Sequence, residues 1–265
     1  MNQVVKVDRR EGVATVTLNR PSSLNALNSE MSYRLRDVFQ ELSGDSDIRV
    51  VILQGAGDHF MAGGDISYFH QSLDLEPEER QEAVNRLIGV VHEFVTIMRS
   101  MPQPVIASVR GNAAGFGMSL VAASDLAVAA ESARFTQAYC QIGTTPDGGN
   151  TFFLPRAIGI KRTMAMSLLN EPIDAGQALA MGLVNQVAPD GELDGAVSAL
   201  AERLSRGPTR AYANLKHLLN NTMSNSLQQQ LDGEQASFAA CATSHDFSEG
   251  VTAFMEKRKP TFKGE

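Results

Sequence analysis

Hydrophobic and polar positions follow a strand-like pattern in the first half of the chain, interrupted by two amphipathic stretches. These stretches have apolar residues at helical spacing and predict helices from Asn28 or Ser29 to Leu42 and over residues 77–101. Short apolar runs bounded by turn residues predict strands over residues 4–7, 13–18, 50–54, 105–109 and 126–130. A charged turn at residues 8–12 separates the first two strands, so we expect them to form a hairpin.

From about Gly159 onward the pattern becomes almost entirely helical. Apolar spacing predicts helices over residues 160–169, 175–181, 194–204, 208–220, 227–242 and 247–257. No linker rich in proline, glycine or serine separates the two patterns. We therefore predict an α/β core over residues 1–195 with an attached helical region over residues 196–265.

Two turns of small residues are the most informative feature of the chain. Residues 59–69 read HFMAGGDISYF and residues 110–120 read RGNAAGFGMSL, and each follows a predicted strand and opens into a predicted helix. Small residues let a ligand approach backbone N–H groups, and a helix N-terminus adds partial positive charge. Two such turns facing one pocket would stabilise a developing negative oxygen, as an oxyanion hole does. The alternative is that these glycines only form tight turns between strand and helix.

Composition narrows the class of protein further. The chain of 265 residues carries a formal net charge of −7, which argues against broad nucleic-acid binding. Only two cysteines are present, so we predict no disulfide framework and no metal site. The sequence lacks the G-x-G-x-x-G spacing of a dinucleotide-binding domain and any apolar run of signal-core or membrane-span length. We therefore expect no nucleic-acid or membrane partner and a cytoplasmic location.

Seven segments occur in order along nearly the whole chain. They are LNRPSSLNALN (18–28), MAGGDI (61–66), RGNAAGFGMSL (110–120), SDLAVAAESARF (124–135), GTTPDGG (143–149), MGLVNQV (181–187) and FMEKRKPTF (254–262). Together they resemble the crotonase, or enoyl-CoA hydratase/isomerase, superfamily. The resemblance implies a ββα-superhelix core with a C-terminal helical region that trimerises, giving a homotrimer or a dimer of trimers. It also implies an acyl-CoA thioester substrate and no separate cofactor, because coenzyme A is part of the substrate.

The resemblance also assigns two backbone donors and a set of substrate contacts. By position, the N–H groups of Gly64 and Phe116 would bind the thioester oxygen as it becomes enolate-like. Phe116 departs from the commoner glycine or alanine, and we expect its ring to reshape the acyl pocket. Arg20 and the basic run 257–259 are candidates for the coenzyme A phosphates. The positions that match substrate-binding segments of relatives are Ser23, Leu24, Ala26, Ala62, Asp65, Ile66, Phe254 and Lys257.

The acid–base positions decide which reaction is predicted. Hydratases of this superfamily carry two glutamates, whereas Ser119 and Tyr139 fill those positions here and are assigned as substrate contacts. Neither side chain replaces a carboxylate base near neutral pH. Asp147 is the remaining carboxylate, and several isomerases of the superfamily place an aspartate in this loop. A single base suits removal of a proton from C2 and its return at C4, so we predict an enoyl-CoA isomerase.

Other interpretations stay open at this point. The alternative for Asp147 is a structural role in its P-D-G-G turn. Hydration, dehalogenation and thioester hydrolysis are other reactions of the superfamily, and a non-catalytic acyl-CoA-binding member belongs to a different class. His92 lies roughly where related dehalogenases carry an active-site histidine, but it neighbours an apolar stripe, which favours a structural role.

Overall fold

Two β-sheets form the centre of the protein in a computed structural model, which describes residues 3–265. The strands are β1 (Val5–Arg10), β2 (Val13–Leu18), β3 (Val50–Gly55), β4 (Val105–Val109), β5 (Asn112–Ala114), β6 (Leu126–Ala130), β7 (Arg134–Thr136), β8 (Ile173–Asp174) and β9 (Gln186–Ala188). The larger sheet has the order β1–β2–β3–β4–β6–β9 and is parallel except for the β1–β2 hairpin. The smaller sheet has the order β5–β7–β8.

Helices connect these strands and make up most of the chain after residue 150. They are α1 (Ser29–Ser43), α2 (Ile66–Ser72), α3 (Pro77–Ser100), α4 (Phe116–Ala123), α5 (Asn150–Ile158), α6 (Ile160–Leu169), α7 (Ala175–Met181), α8 (Leu193–Ser205), α9 (Thr209–Asn221), α10 (Leu227–Ala242) and α11 (His245–Met255). The side chain of Asn28 caps α1 by accepting from the N–H of Met31. Pro77 is the first residue of α3. Proline has no backbone N–H, and it fits this position because the N–H groups of the first helical turn have no acceptor within the helix.

The larger sheet separates two hydrophobic cores. Because side chains alternate along a strand, β3 sends Val51 and Leu53 into the core beneath α1 and α3. It sends Val50 and Ile52 to the opposite face, where Leu193 begins the apolar side of α8. A strand buried on both faces explains the continuous apolar run in its sequence.

The structure confirms the predicted hairpin, the strands that follow and the predicted helices, with shifted ends. The predicted turn at residues 8–12 is wrong, because β1 continues to Arg10, which pairs with Val13. The exposed face of this edge strand accommodates its charged side chains, and the turn is reduced to Glu11 and Gly12, both with positive φ. Sequence patterning missed α5 and the short strands β5, β8 and β9.

The predicted boundary between residues 195 and 196 falls inside α8. This helix packs against the larger sheet, whereas α9, α10 and α11 continue the chain as a helical segment. Lys216 attaches α9 to the core: its buried ammonium donates to the carbonyls of Met98 and Gln103 and lies 2.7 Å from Asp125 Oδ2. The division into a core and a C-terminal helical region stays a prediction. No helix in the described part of the chain has the length and apolar character needed to cross a bilayer.

Candidate active site

The two small-residue turns meet at the backbone. Gly63 and Gly115 have φ of 90° and 51°, in the left-handed region that favours glycine. A Cβ atom on Gly115 would lie 3.2 Å from the Cα of Gly63, and one on Gly63 would lie 3.3 Å from the carbonyl oxygen of Ala114. The close approach therefore depends on the absence of both side chains. It brings the start of α4 beside the turn that precedes α2.

Each turn carries a backbone N–H group without a protein acceptor. Leu27 donates to the carbonyl of Gly63 and accepts from Asp65, so the N–H of Gly64, between them, points away from this pairing. Phe116 is the first residue of α4, where an N–H has no intrahelical acceptor. Within residues 3–265 neither N–H donates a hydrogen bond to the protein. Two donors on adjoining turns are therefore available to a ligand.

The Phe116 ring packs inward, beneath the loop that carries Asp147. The residue is 2% exposed, and its ring lies edge-on to Phe94 of α3 with centroids 6.5 Å apart. The backbone of Gly148 lies directly against this ring, since a Cβ there would be 2.5 Å from Phe116 Cε2. The ring thus supports the Asp147 loop from below. Our expectation that it reshapes the acyl pocket stays a prediction.

Asp147 is held by the hydroxyl groups of Ser119 and Tyr139, the two residues that the resemblance aligns with the hydratase glutamates. Tyr139 donates its phenolic proton to Asp147 Oδ1 at 2.6 Å. Ser119 Oγ lies 2.8 Å from the Tyr139 oxygen and donates to the main-chain carbonyl of Asp147 at 3.0 Å. Ser119 lies on α4, the helix that begins at Phe116, so its bond ties the Asp147 loop to the helix that carries one of the two free N–H groups. Sequence spacing carries no signal for the bond between Tyr139 and Asp147.

Burial controls the charge state of this cluster. It raises the pKa of Asp147 above its ordinary value, although the bond from Tyr139 and the charge of His92 act in the opposite direction. Burial also raises the pKa of Tyr139, and the neighbouring Asp147 charge raises it further. Tyr139 therefore stays protonated and serves as a hydrogen-bond donor. Because Asp147 is partly buried, its carboxylate is a stronger base than a fully exposed one.

His92 does not occupy the buried face of α3. That face is formed by Leu87, Val90, Val91, Phe94, Val95 and Met98, whereas the His92 side chain is exposed. The apolar stripe ends beside His92 without including it, so this side chain is not part of the buried core, and its structural role stays a prediction. Its charge nevertheless lowers the pKa of Asp147 across the site.

The structure brings together the two N-terminal segments predicted to contact substrate. Ala62 donates to the carbonyl of Leu24, and the bonds of Leu27 to the 63–65 turn continue this pairing. The predicted contacts on these segments are Ser23, Leu24, Ala26, Ala62, Asp65 and Ile66, of which Leu24 and Ile66 are exposed. These segments form one wall beside the free N–H of Gly64.

Asp65 and Arg20 stabilise this wall through a partly buried ion pair. Arg20 Nη2 lies 2.7 Å from Asp65 Oδ2, and the same guanidinium donates to the carbonyl of Ala26. Asp65 also caps α2 by accepting from the N–H of Ser67. Burial acts to raise the pKa of Asp65, but the bonds from Arg20 and Ser67 outweigh it and hold the pKa below its ordinary value. The Arg20 guanidinium is engaged here, which disfavours its predicted use as a phosphate ligand.

The predicted C-terminal contacts lie apart from these segments. Phe254 is 82% exposed at the end of α11, and Lys257 is exposed just after it. No hydrogen bond among the described residues joins either one to residues 23–27 or 62–66. Arg258 forms a bidentate pair with Glu249, so this member of the basic run is already neutralised.

Comparison with known proteins defines the class. The chain belongs to the enoyl-CoA hydratase/isomerase family, whose family model matches residues 8–265. It is 38% identical to a Rhodobacter capsulatus protein named "Probable enoyl-CoA hydratase", with 98% of each chain covered. It is 36% identical to the 1,2-epoxyphenylacetyl-CoA isomerase of Escherichia coli K12, with 96% of each chain covered. The protein is therefore an enzyme of this family.

A solved structure supports the same assignment. The enoyl-CoA hydratase of Polaromonas sp. JS666 superposes with a TM-score of 0.92 at 32% identity, covering 98% of this chain and 99% of that one. The predicted crotonase-like α/β fold is thereby confirmed. Trimerisation of the C-terminal region stays a prediction.

Replacement of Gly148 tests whether the Phe116 ring supports the Asp147 loop. In Gly148→Ala the new methyl group would clash with the ring, and the residue has a φ of 59° that alanine adopts poorly. Gly143→Ala is the matched control, because Gly143 has a φ of 72° but no atom lies within 4 Å of the position that its methyl group would take. We expect Gly148→Ala to lose about 2 kcal/mol more unfolding free energy in urea than the control. Equal losses in the two variants would contradict the packing described.

Proposed function

We propose that the protein is an enoyl-CoA isomerase that shifts a carbon–carbon double bond of an acyl-CoA thioester. The observation that carries this proposal is the partly buried Asp147 carboxylate, bonded to Tyr139 in a site whose two adjoining turns leave the N–H groups of Gly64 and Phe116 unpaired within residues 3–265. Hydroxyl groups stand at the two positions that the resemblance aligns with glutamates: Tyr139 donates to this carboxylate, and Ser119 donates to the main-chain carbonyl of Asp147. The site thus offers one base and one oxyanion site, which is what a double-bond shift requires.

In the proposed reaction Asp147 removes a proton from C2 of a 3-enoyl thioester. The electron pair of the broken C–H bond moves through the conjugated system and leaves a dienolate with negative charge on the thioester oxygen. The protonated Asp147 then returns the proton at C4, which gives the 2-enoyl thioester. No water is consumed, and the carboxylate ends in its starting state.

The N–H groups of Gly64 and Phe116 would stabilise the dienolate oxygen. Fixed donors that need no reorganisation contribute about 3 kcal/mol each to such a transition state. Phe116 begins α4, so the positive end of that helix adds to the field at the oxygen. The raised pKa of Asp147 brings the base closer to the weak acidity of the C2 proton.

Hydration fits these side chains less well. Adding water across a double bond in this superfamily uses two carboxylates, one for the water and one for the proton at C2. Tyr139 keeps its proton because burial raises its pKa, and within residues 3–265 the Ser119 hydroxyl bonds only the Tyr139 oxygen and the main-chain carbonyl of Asp147. The relatives include a hydratase and an isomerase by name, so their names do not decide between the two reactions. The proposal of isomerisation therefore rests on the side chains at the site.

Coenzyme A is proposed to bind along the wall formed by residues 23–27 and 62–66, with Lys257 and Phe254 contributing from another subunit. Both residues are exposed, and among the described residues neither forms a hydrogen bond to the wall, which leaves them available for a contribution across an interface. Coenzyme A arrives and leaves with the acyl group, so the proposed reaction needs no separate cofactor.

Asp147→Asn tests the proposed base directly. The amide fills the same space and can still bond Tyr139, but it cannot accept the C2 proton at neutral pH. We expect kcat for conversion of straight-chain 3-enoyl-CoA thioesters to fall by about 10³-fold or more, with thioester binding retained. Mass spectrometry in deuterated water should show a wild-type product of unchanged or deuterium-raised mass.

Other outcomes of the same assay contradict the proposal. Wild-type activity in Asp147→Asn would show that Asp147 is not the base. A product heavier by one water would indicate a hydratase, and release of free coenzyme A would indicate a thioesterase. Tight binding of acyl-CoA without turnover of any thioester would indicate a non-catalytic member.

The exposed apolar side chains of α9, α10, α11 and the loop between α9 and α10 support a homotrimer or a dimer of trimers. They are Leu215, Leu219, Met223, Leu227, Leu231, Phe238, Phe247, Val251, Phe254 and Met255. A large exposed apolar surface of this kind marks an interaction site. We propose that a second copy of the chain covers this apolar surface, because such an assembly would also bring Lys257 and Phe254 to the substrate wall of another subunit.

Phe238→Glu tests this assembly, because it places a charge on a side chain that is 71% exposed. We expect the wild type to have three or six times the 28.6 kDa of one chain by light scattering, and the variant to dissociate. Tyr33→Glu on α1, at a residue 44% exposed, is the control and should keep the wild-type mass. A wild-type mass of one chain would contradict the proposal.

A further inference from the structure

We infer that Tyr139 and Ser119 are positioning residues that hold one oxygen of Asp147 and leave its other oxygen for the substrate proton. The inference rests on the proposed function of Asp147 as the base. It assigns the two hydroxyl groups to the base itself, in place of direct contact with the substrate.

Three contacts form a ring that begins and ends on Asp147. The ring passes from Asp147 Oδ1 to the Tyr139 hydroxyl at 2.6 Å, then to Ser119 Oγ at 2.8 Å, and back to the Asp147 carbonyl at 3.0 Å. Ser119 is fully buried and Tyr139 is 8% exposed, so protein surrounds both hydroxyl groups. The ring fixes the side chain and the main chain of the same residue. Free rotation of the carboxylate is thereby restricted.

The two carboxylate oxygens consequently differ. Oδ1 accepts the bond from Tyr139, whereas no side chain among the described residues donates to Oδ2. An oxygen already holding a donated proton is the poorer acceptor for a second one. Oδ2 is therefore the atom that takes the proton from C2 and returns it at C4.

The direction of the bonds follows from counting protons. An ionised carboxylate only accepts, so the Tyr139 proton lies toward Oδ1 in a short, charge-assisted bond. Ser119 has a single proton and two neighbouring acceptors, the Tyr139 oxygen and the Asp147 carbonyl. Ser119 therefore shares its one proton between these two acceptors or gives it to one of them, and its oxygen contacts both Tyr139 and the loop. Neither hydroxyl group has to exchange a proton with substrate.

The cycle of hydrogen-bond contacts through Tyr139 and Ser119 also sets how readily Asp147 ionises. Burial favours the neutral acid, and the bond from Tyr139 opposes it by stabilising the carboxylate. The titratable groups that act on Asp147 are Tyr139, from the preceding loop, and His92, from α3. The residue facing it from α4 is Ser119, which does not titrate. Removing the Tyr139 hydroxyl would leave the effect of burial less opposed.

Tyr139→Phe removes the donated bond and keeps the ring of the side chain. A base works in its ionised form, so its rate falls as pH drops through its pKa, and a higher pKa moves that fall to higher pH. We expect the acid limb of kcat/KM for 3-enoyl-CoA conversion to move up by about one pH unit. We also expect kcat to fall about tenfold while KM changes less than about threefold. Ser119→Ala should move the acid limb and lower kcat in the same direction as Tyr139→Phe, but by a smaller amount.

Two reference variants separate this inference from the proposed function. Tyr33→Phe removes an exposed hydroxyl on α1 and should retain wild-type kcat and pH profile. If Asp147→Asn is inactive but Tyr139→Phe keeps the wild-type pH profile, the inference is wrong and the proposed base stands. If Asp147→Asn remains active, the proposed base is wrong and the inference falls with it.

Thermal melting shows whether each variant is folded. Should Tyr139→Phe fail to fold, Ser119→Ala provides the same pH-profile readout with the loss of one oxygen atom. A lower kcat with an unmoved acid limb in the folded variant would show a purely structural role and overturn the inference.

Discussion

The close approach of two backbones, at Gly63 and Gly115, is the constraint on which the candidate site depends. Each residue stands at a positive φ, and each would push the other turn away if it carried a Cβ atom. The contact places the N-terminus of α4 beside the turn that leads into α2, and with it the N–H groups of Gly64 and Phe116. The parallel strands β3 and β4 deliver both turns to the same edge of the sheet. The rest of the site is built outward from α4.

From α4 the structure reaches the base through side chains. The Phe116 ring supports Gly148, and Ser119, one turn along, binds the Asp147 carbonyl. Tyr139 completes the arrangement by donating to the carboxylate. A single helix thus organises both the proposed oxyanion donors and the proposed base. Burial of the carboxylate among these groups raises its pKa, which costs stability when the group is ionised but strengthens it as a base.

Much of this architecture could be predicted because its signals are local. The α1 cap at Asn28, the Pro77 start of α3 and the small residues of the two turns each act over a few positions. Strands of two or three residues, such as β8 and β9, exist only through their partners and leave no periodic pattern. The family resemblance identified Asp147, Ser119 and Tyr139 as separate positions. Their mutual bonds depend on how the loop folds back onto α4, which no spacing in the sequence records.

The exposed position of His92 is a second feature that the sequence pattern does not predict. An apolar stripe at helical spacing predicts a buried face, and Val91 and Val95 are buried on it, but the pattern does not say which way the polar residue next to the stripe faces. The side chain lies outside the core, where its charge acts on Asp147. Long-range electrostatic contacts of this kind follow from the assembled fold and not from the pattern of any one helix.

A single deuterium atom shows directly whether one carboxylate carries the proton from C2 to C4. A 3-enoyl-CoA thioester labelled at C2 would be converted in one turnover by the wild-type enzyme in ordinary water, and the product analysed by NMR. If one carboxylate carries the proton between the two carbons, part of the label appears at C4 of the 2-enoyl product. Transfer of the label to C4 by the Asp147→Asn variant as well, or a 3-hydroxyacyl product formed by addition of water, would show that the Asp147 carboxylate does not carry this proton.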